Sequence, residues 1–456
     1  MHRLFGTDGI RGKANNYPIT PEVALKLGKA IAKILEADRK GMVGSRRAII
    51  GKDTRRSCYM IESALEAGLV SMGMHVYLVG PIPTPAIAYL TRSMLCDCGI
   101  MITASHNLSD DNGIKLFDRH GQKFRDEKIQ ELEKLLLGPE LEATHVRNEY
   151  IGEAERIEDA RGRYIAYAKS TVPDLSLFGK TIVLDCANGA AYRVAPAVFE
   201  ELGAEVISIN IHPDGLNIND GCGAINPETV KMSVNMHNAD IGIALDGDAD
   251  RVVFCDERGE VVNGDQIIAI CAIDLKERMG RVLTNDTLVV TEMSNMGLFK
   301  EMERHQINVE VTEVGDHRVI ERMRYVGSNF GGEESGHLIF SDLNTTGDGI
   351  ISALQILQIM EFSDRPLSQL DGRFKPHPRC MINLPVSTKR PIQDMPVVQK
   401  TLVACHETLA DRGRHLVRYS GTEDKLRILV ESESQDEADE WASNIAMAFK
   451  KEIGTT

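Results

Sequence analysis

Short apolar runs alternate with amphipathic helical stretches along this chain, and that alternation decides what it can fold into. In TPEVALKLGKAIAKILEA (20–37), Thr20 stands where an N-cap is needed and Pro21 takes the first helical position. Val23, Leu27, Ile31, Ile34 and Leu35 then make one apolar stripe. AIIG (48–51) reads as a strand, a helix follows through 57–72, and HVYLV (75–79) and CGIMIT (98–103) read as further strands. Strands separated by helices predict parallel α/β organisation.

The alternation resumes after a polar, weakly patterned stretch at 138–160. KTIVLDCANGAA opens a second unit with a strand, a Gly-containing turn and a helix over 190–202. EVISIN and ADIGIALD (239–246) are its further strands. A third unit begins after VVFCDERGEVVNGDQ. It holds TLVVTEM, NVEVTEV and a GGEESGHLIF strand, and closes near 362 with DGIISALQILQIMEF. The linker DGRFKPHPR precedes a last unit that reads β-α-β-β-α. The expected fold is α/β: three consecutive mixed-sheet α/β domains over 1–155, 156–255 and 256–370. A smaller C-terminal α+β domain over 371–456 completes it, around a central cleft. The 456 residues are enough for such a set.

Charge removes some function classes. The chain carries 52 basic against 67 acidic residues, a formal net charge of −15. General nucleic-acid binding needs a basic footprint, so it is not expected, though local sites can still take anions. MHRLFGTDGIRG lacks the apolar core of a signal peptide, and no run reaches membrane-spanning length. The nine cysteines are scattered in apolar segments without a C-x-x-C pair, as buried thiols in a reducing cytosol would be. The same scatter argues against structural zinc.

Five stretches carry candidate chemistry. TASHNLSDDNGIK (103–115) places Ser105, His106, Asn107, Asp111, Asn112 and Lys115 in one polar run. ALDGDADRVVF (244–254) alternates Asp246, Asp248 and Asp250 between apolar flanks. Three such carboxylates repel unless a cation sits among them, and hard oxygen ligands suit Mg²⁺ or Ca²⁺. The spacing also matches an EF-hand, with Glu257 at position twelve. Arg251 occupies the position that needs Gly, however, and the flanks read as strands. In VRYSGTEDKLRILVE (417–431), Ser420, Gly421 and Thr422 form a small-residue turn flanked by Arg418 and Arg427, a pattern that holds phosphate or is an ordinary hairpin turn. In GGEESGHLIF (331–340), Glu333, Ser335 and His337 alternate, so in an extended stretch they share a side and can accept from sugar hydroxyls; a surface turn is the alternative. FGTDGIRG holds Arg11 among glycines.

Other chemistries fit poorly. GKT (179–181) ends like a phosphate-binding P-loop, but Asp174 stands where its first Gly is required. No G-x-S-x-G surrounds Ser105. Neighbours in an extended chain point apart, so Ser105 and His106 are not expected to form a dyad.

TASHN-x-x-x-DNGIK, DGDADR, GEESGH and RYSGTE, in this order and about a domain apart, resemble the α-D-phosphohexomutase superfamily. The resemblance runs from residue 4 to about 431. It implies that Ser105 carries a phosphoryl group and that Asp246, Asp248, Asp250 and phosphorylated Ser105 ligate one Mg²⁺. Arg251 and Lys115 neutralise charge. Arg11, His106, Lys115 and His337 are the candidates for moving protons. Glu333 and Ser335 hold sugar hydroxyls, and Arg418, Ser420, Gly421, Thr422 and Arg427 hold a phosphate.

The implied reaction passes through a hexosamine 1,6-bisphosphate, which also serves as primer. FGTDGIRG and RYSGTEDKLRILVE resemble the branch acting on glucosamine 6-phosphate and glucosamine 1-phosphate. That branch feeds UDP-N-acetylglucosamine and peptidoglycan precursors in a bacterial cytoplasm. Glucose or mannose phosphates, or a Mg²⁺-dependent sugar phosphatase, are the rival readings. The implied partner is a small sugar phosphate, with neither nucleic acid nor membrane, and with room for a homodimer. Four positions depart from the family pattern. Ala249 replaces a common Gly, with little effect expected unless that residue needs positive φ. Leu108 replaces Pro, GDHRVIERM brings in His317, and Glu334 replaces an amide.

Overall fold

The computed structural model describes residues 4–6, 8–38, 46–141, 146–278, 280–370, 372–386, 388–420 and 424–453. Its contacts divide the chain into two units, one of 1–293 with 307–373 and one of 294–306 with 374–456.

The larger unit contains three sheets, each a parallel core closed by an antiparallel hairpin. The first has seven strands in the order Phe5–Gly6, Gly9–Lys13, Asp111–Asp118, Cys98–Ile102, Arg46–Lys52, Met74–Pro81 and Ala154–Arg156. Its last four are mutually parallel, and Asp111–Asp118 returns antiparallel beside Cys98–Ile102. The second runs Val261–Val262, Val252–Cys255, Ile241–Leu245, Thr181–Asp185 and Glu205–Ile209, with the hairpin at Ile241–Cys255. The third runs Asn308–Thr312, Thr287–Thr291, Phe330–Gly332 and Leu338–Phe340, with the hairpin at Phe330–Phe340. The central strands CGIMI, IGIAL and TLVVT are buried along their whole length, which is why the first two are apolar throughout and the third is polar only at its terminal threonines.

The helix Pro21–Asp38 starts where its cap residues place it, with Val23 N donating to Thr20 Oγ1 at 3.4 Å. Leu27, Ile31, Ile34 and Leu35 enter the core with Ile61, Leu65 and Ile100. Helix Arg56–Val70 packs so closely against it that a Cβ on Gly28 would lie 2.6 Å from the Leu65 carbonyl. The second sheet extends to Val261–Val262. The four-part division at 155, 255 and 370 is retained as a proposal.

The smaller unit is α+β. Strands Arg379–Pro385, Lys425–Ser432 and Gly413–Tyr419 form an antiparallel sheet in that order. Helices Pro396–Leu409 and Gln435–Ile453 bury Val398, Leu409, Ala442 and Phe449 with Ile428 and Val430. All nine cysteines are free thiols, eight of them buried. Among the described residues no helix is long and apolar enough to cross a membrane.

The expected 331–340 strand is two strands. Glu333–His337 turn between them, with Gly336 N donating to Glu333 O at 3.0 Å and Gly336 at φ +88°. Glu333, Ser335 and His337 therefore do not alternate along an extended segment. The glycine breaks the strand at the hairpin tip.

Candidate active site

Three of the chemistry-bearing loops are hairpin connections of the three sheets in the larger unit: residues 103–110, 246–251 and 333–337. Each follows the C-terminal end of a strand that runs parallel in its sheet, the end at which α/β proteins assemble sites. Hydrogen bonds join them, for Ser105 Oγ donates to Asp246 Oδ2 at 2.8 Å, and Val252 N, at the end of the second loop, donates to Gly336 O at 3.1 Å.

Ser105 is buried and sits at φ +50°, a conformation rarely tolerated away from glycine. Its neighbours hold it there. Ser105 N donates to Thr103 Oγ1 at 2.9 Å, and its carbonyl accepts from Asn219 Nδ2 at 2.8 Å and Arg55 Nη2 at 3.1 Å. Ser105 Oγ donates to Asp246 Oδ2 at 2.8 Å. It also lies 3.4 Å from His106 Nδ1. The two side chains therefore do approach each other, against expectation, because the chain turns at Ser105 instead of running extended. Burial, then the nearby Arg251 and Arg11, push the His106 imidazole down to about 4.

Asp246, Asp248 and Asp250 are buried, and one carboxylate oxygen from each lies within 4.8 Å of the others. Burial and the two neighbouring carboxylates raise Asp246 well above the ordinary aspartate range. Burial acts the same way on Asp250, but Lys115, His337 and Arg251 outweigh it and hold that carboxyl well below. Lys115, itself buried in strand Asp111–Asp118, donates to Asp248 Oδ2 at 2.9 Å and Asp250 Oδ2 at 2.8 Å, and lies 3.2 Å from Asp8 Oδ2. Burial opposes its charge, yet those carboxylates keep it well above the ordinary lysine value. Asp248 Oδ1 and Asp250 Oδ1 are buried without a hydrogen-bond donor. Two unsatisfied carboxylate oxygens beside Ser105 and Asp246 are a donor set that fits a hard divalent cation.

Arg251 N donates to Asp246 Oδ1 at 3.2 Å, and its Nε lies 3.9 Å from Asp250 Oδ1. His337 is buried between Asp250 and Asp316, its Nδ1 3.7 Å from the first and its Nε2 3.5 Å from the second. Arg11 Nη2 donates to Asp8 Oδ2 at 3.1 Å. Glu333 is buried and accepts from Gly315 N at 3.1 Å, whereas Ser335 is exposed at the crest of its turn. His317 lines a cavity of about 80 Å³ with Asp8, Lys115 and Lys123. Glu334 is half-buried.

In the smaller unit, Arg418 and Arg427 face each other across the strand pair. Ser420 follows, its N donating to Lys425 O at 2.8 Å and its carbonyl accepting from Lys389 Nζ at 2.8 Å. Gly421 and Thr422 lie outside the described residues.

Sequence reasoning missed the residues that set this geometry. Arg55 and Asp53 are fully buried, with Arg55 Nε 2.8 Å from Asp53 Oδ2. Lys123 bridges Asp8 and Asp316. Thr84 Oγ1 donates to Asp248. One signal was available: KDTRR directly follows the apolar run AIIG, and charge at the C-terminal end of a parallel strand marks a site.

Comparison with known proteins gives a consistent pattern. Family models described as phosphoglucomutase/phosphomannomutase match in four pieces: alpha/beta/alpha domain I over residues 2–141, domain II over 163–259, domain III over 263–376 and the C-terminal domain over 381–448. A phosphoglucosamine mutase of Syntrophotalea carbinolica is 51% identical over 453 residues, covering 99% of this chain and 98% of that one. One of Citrifermentans bemidjiense is 50% identical, covering 100% and 99%. A solved phosphoglucomutase/phosphomannomutase family protein of Burkholderia thailandensis superposes with a TM-score of 0.81 at 22% identity, over 100% of this chain and 98% of that chain. An Aspergillus fumigatus N-acetylphosphoglucosamine mutase, solved with GlcNAc-6P and magnesium, superposes with a TM-score of 0.65 at 18% identity, over 99% and 96%.

Proposed function

The chain belongs to the phosphoglucomutase/phosphomannomutase family, and from that premise we propose that it interconverts glucosamine 6-phosphate and glucosamine 1-phosphate. It is an enzyme of the isomerase class, an intramolecular phosphotransferase like its relatives. The observation that carries the reading is Ser105 Oγ at 2.8 Å from Asp246, beside Asp248, Asp250 and the Lys115 ammonium.

Ser105 is the proposed phosphoryl carrier. A phosphate on Oγ brings about −1.5 to −2 charges into a buried cluster. Lys115, Arg251 and Arg11 offset it. In the first transfer the Oγ–phosphorus bond breaks and a bond forms to the free sugar hydroxyl, whose proton passes to a base. His106 is the titratable group whose ring lies against Ser105 Oγ. In the second transfer the other phosphate of the bisphosphorylated sugar returns to Ser105, and a proton returns to the sugar oxygen. Ser105, Asp246, Asp248 and Asp250 would hold one Mg²⁺, which supplies Lewis-acid stabilisation of the phosphoryl oxygens when bound. Glu333, with Ser335, would hold sugar hydroxyls. Arg418, Ser420, Gly421, Thr422 and Arg427 would hold the phosphate that is not being transferred. A hexosamine 1,6-bisphosphate primer, a cytoplasmic place in peptidoglycan-precursor synthesis and a homodimer belong to the same proposal.

Initial rates on glucosamine 6-phosphate, glucose 1-phosphate and mannose 1-phosphate, with Mg²⁺ and a bisphosphate primer, test it. Preference for the amino sugar without phosphate release is expected. Preference for glucose or mannose moves the substrate assignment, and phosphate release outpacing isomer formation replaces mutase by phosphatase.

A further inference from the structure

A second cavity, of about 260 Å³, shares no lining residue with the cluster around Ser105. Three guanidiniums line it, those of Arg156, Arg161 and Arg193, against one carboxylate, Glu158. Among the described residues none of the three arginines forms an ion pair. In a chain of net charge −15, three unpaired cations around one hollow make a local positive field that an anion can enter.

The fold places them deliberately near one another. Arg156 ends the last strand of the first sheet, which pairs with Met74–Pro81, and Ile157 N donates to Leu78 O at 3.0 Å. Gly80 stands beside it at φ +69°, and Arg156 Nη1 lies 3.7 Å from where a Cβ would be. Arg161 sits in the first turn of helix Ala160–Ser170, and Arg193 directly precedes helix Val194–Glu201. Neither helix start has a side-chain cap, so the positive ends of both add to the field.

Two aromatic rings share the lining. Tyr59 comes from helix Arg56–Val70, and Lys52 Nζ lies 3.9 Å from its centroid on a charge already paired with Glu62. Tyr192 carries the Arg193 guanidinium 5.1 Å from its ring centroid. Guanidiniums supply forked donors to phosphate, while tyrosine rings and a stacked guanidinium supply flat faces for a planar base. The volume is just under the range of about 300–1,000 Å³ typical of small-molecule pockets, so the ligand is small.

We propose that this cavity binds a nucleoside monophosphate, with its phosphate on Arg156, Arg161 and Arg193 and its base against Tyr59 and Tyr192. It is a binding site separate from the mutase centre. Calorimetric titration of the full chain with UMP, ribose 5-phosphate and inorganic phosphate tests it. UMP should bind, and ribose 5-phosphate should bind at least about tenfold more weakly, because base stacking is lost. Arg156→Gln and Arg193→Gln should each weaken UMP about tenfold; both side chains are exposed, so the fold is not at risk. Tyr192→Leu should weaken UMP and leave ribose 5-phosphate unchanged. Arg251→Ala, which alters the mutase centre, should leave UMP affinity unchanged. The proposal falls if UMP gives no heat at millimolar concentration or if inorganic phosphate binds as tightly as UMP. Abolition of UMP binding by Arg251→Ala would also overturn it, since the nucleotide would then be in the mutase centre.

Discussion

The buried guanidinium of Arg55 donates to the backbone carbonyl of Ser105 at 3.1 Å. The same group reaches the carbonyls of Asn107 at 2.7 Å, Asp111 at 3.0 Å and Leu108, with Asp53 paired behind it. One side chain thus fixes the loop that presents Ser105 Oγ. Arg55→Met should lower kcat about 10²-fold through misplacement of Ser105 Oγ, the proposed phosphoryl carrier. It should also cost about 3 kcal/mol of stability, because Asp53 is left buried and unpaired. Arg55→Lys should recover stability but not kcat, since an ammonium lacks the fork that reaches four carbonyls. Thermal melts with steady-state rates measure both. Full recovery of kcat by lysine would show that charge, not loop geometry, is what Arg55 contributes.

Ala249 lies inside the Asp loop at φ +58° and is fully buried. Alanine in place of the family's common glycine is harmless here only at negative φ, and positive φ is what the loop uses. An L-residue pays for that conformation where glycine does not. Ala249→Gly should therefore stabilise the chain by about 1 kcal/mol with kcat unchanged. A melting temperature that stays level or falls would mean the loop does not need that backbone conformation in solution.

Much of the fold was readable from period alone. CGIMI and IGIAL are apolar at every position, and TLVVT at all but its terminal threonines, because the sheets bury them on both faces. Thr20 and Pro21 marked their helix start because capping is local chemistry. The 331–340 run misled because its composition suits a strand while Gly336 turns it. In the site, the residues set in short polar loops between apolar strands were legible: Ser105 in one loop and the three aspartates in another. Arg55, Asp8, Lys123 and Asp316 were not, because each acts on a partner far away in the chain. Lys123 and Asp316 are joined only by the way two sheets come together.

The two donorless oxygens, Asp248 Oδ1 and Asp250 Oδ1, give the metal assignment a readout apart from turnover. Titration of Mg²⁺ into the unliganded protein should raise the melting temperature, since a ligand at about 100 times its Kd adds about 2.7 kcal/mol. Asp248→Asn should remove most of that rise, and excess EDTA should reverse it in the wild type. An equal rise in the variant would place the ion elsewhere.

Lys123 bridges Asp8 and Asp316 in a largely buried cluster. Around Asp8 stand Lys115, Lys123 and Arg11, with Asp250 opposing; around Asp316 stand Lys123, His337 and Arg251, with Asp8 opposing. Burial raises both carboxyls, but the cations outweigh it and hold both below the ordinary aspartate value. Groups depressed in the folded state stabilise it above their unfolded pKa, near about 3.9, and that contribution is lost as pH falls through the folded values. Lys123→Met should accordingly cost about 3 kcal/mol at pH 7, because two carboxylates then face each other without their shared cation. The difference from wild type should begin to narrow as pH falls below about 5, where the variant's carboxyls take up protons first, and should go on narrowing below about 3.9 toward the depressed wild-type values. Melting curves across that range decide the matter: a difference that stays constant with pH would mean Lys123 contributes packing of its stem rather than charge.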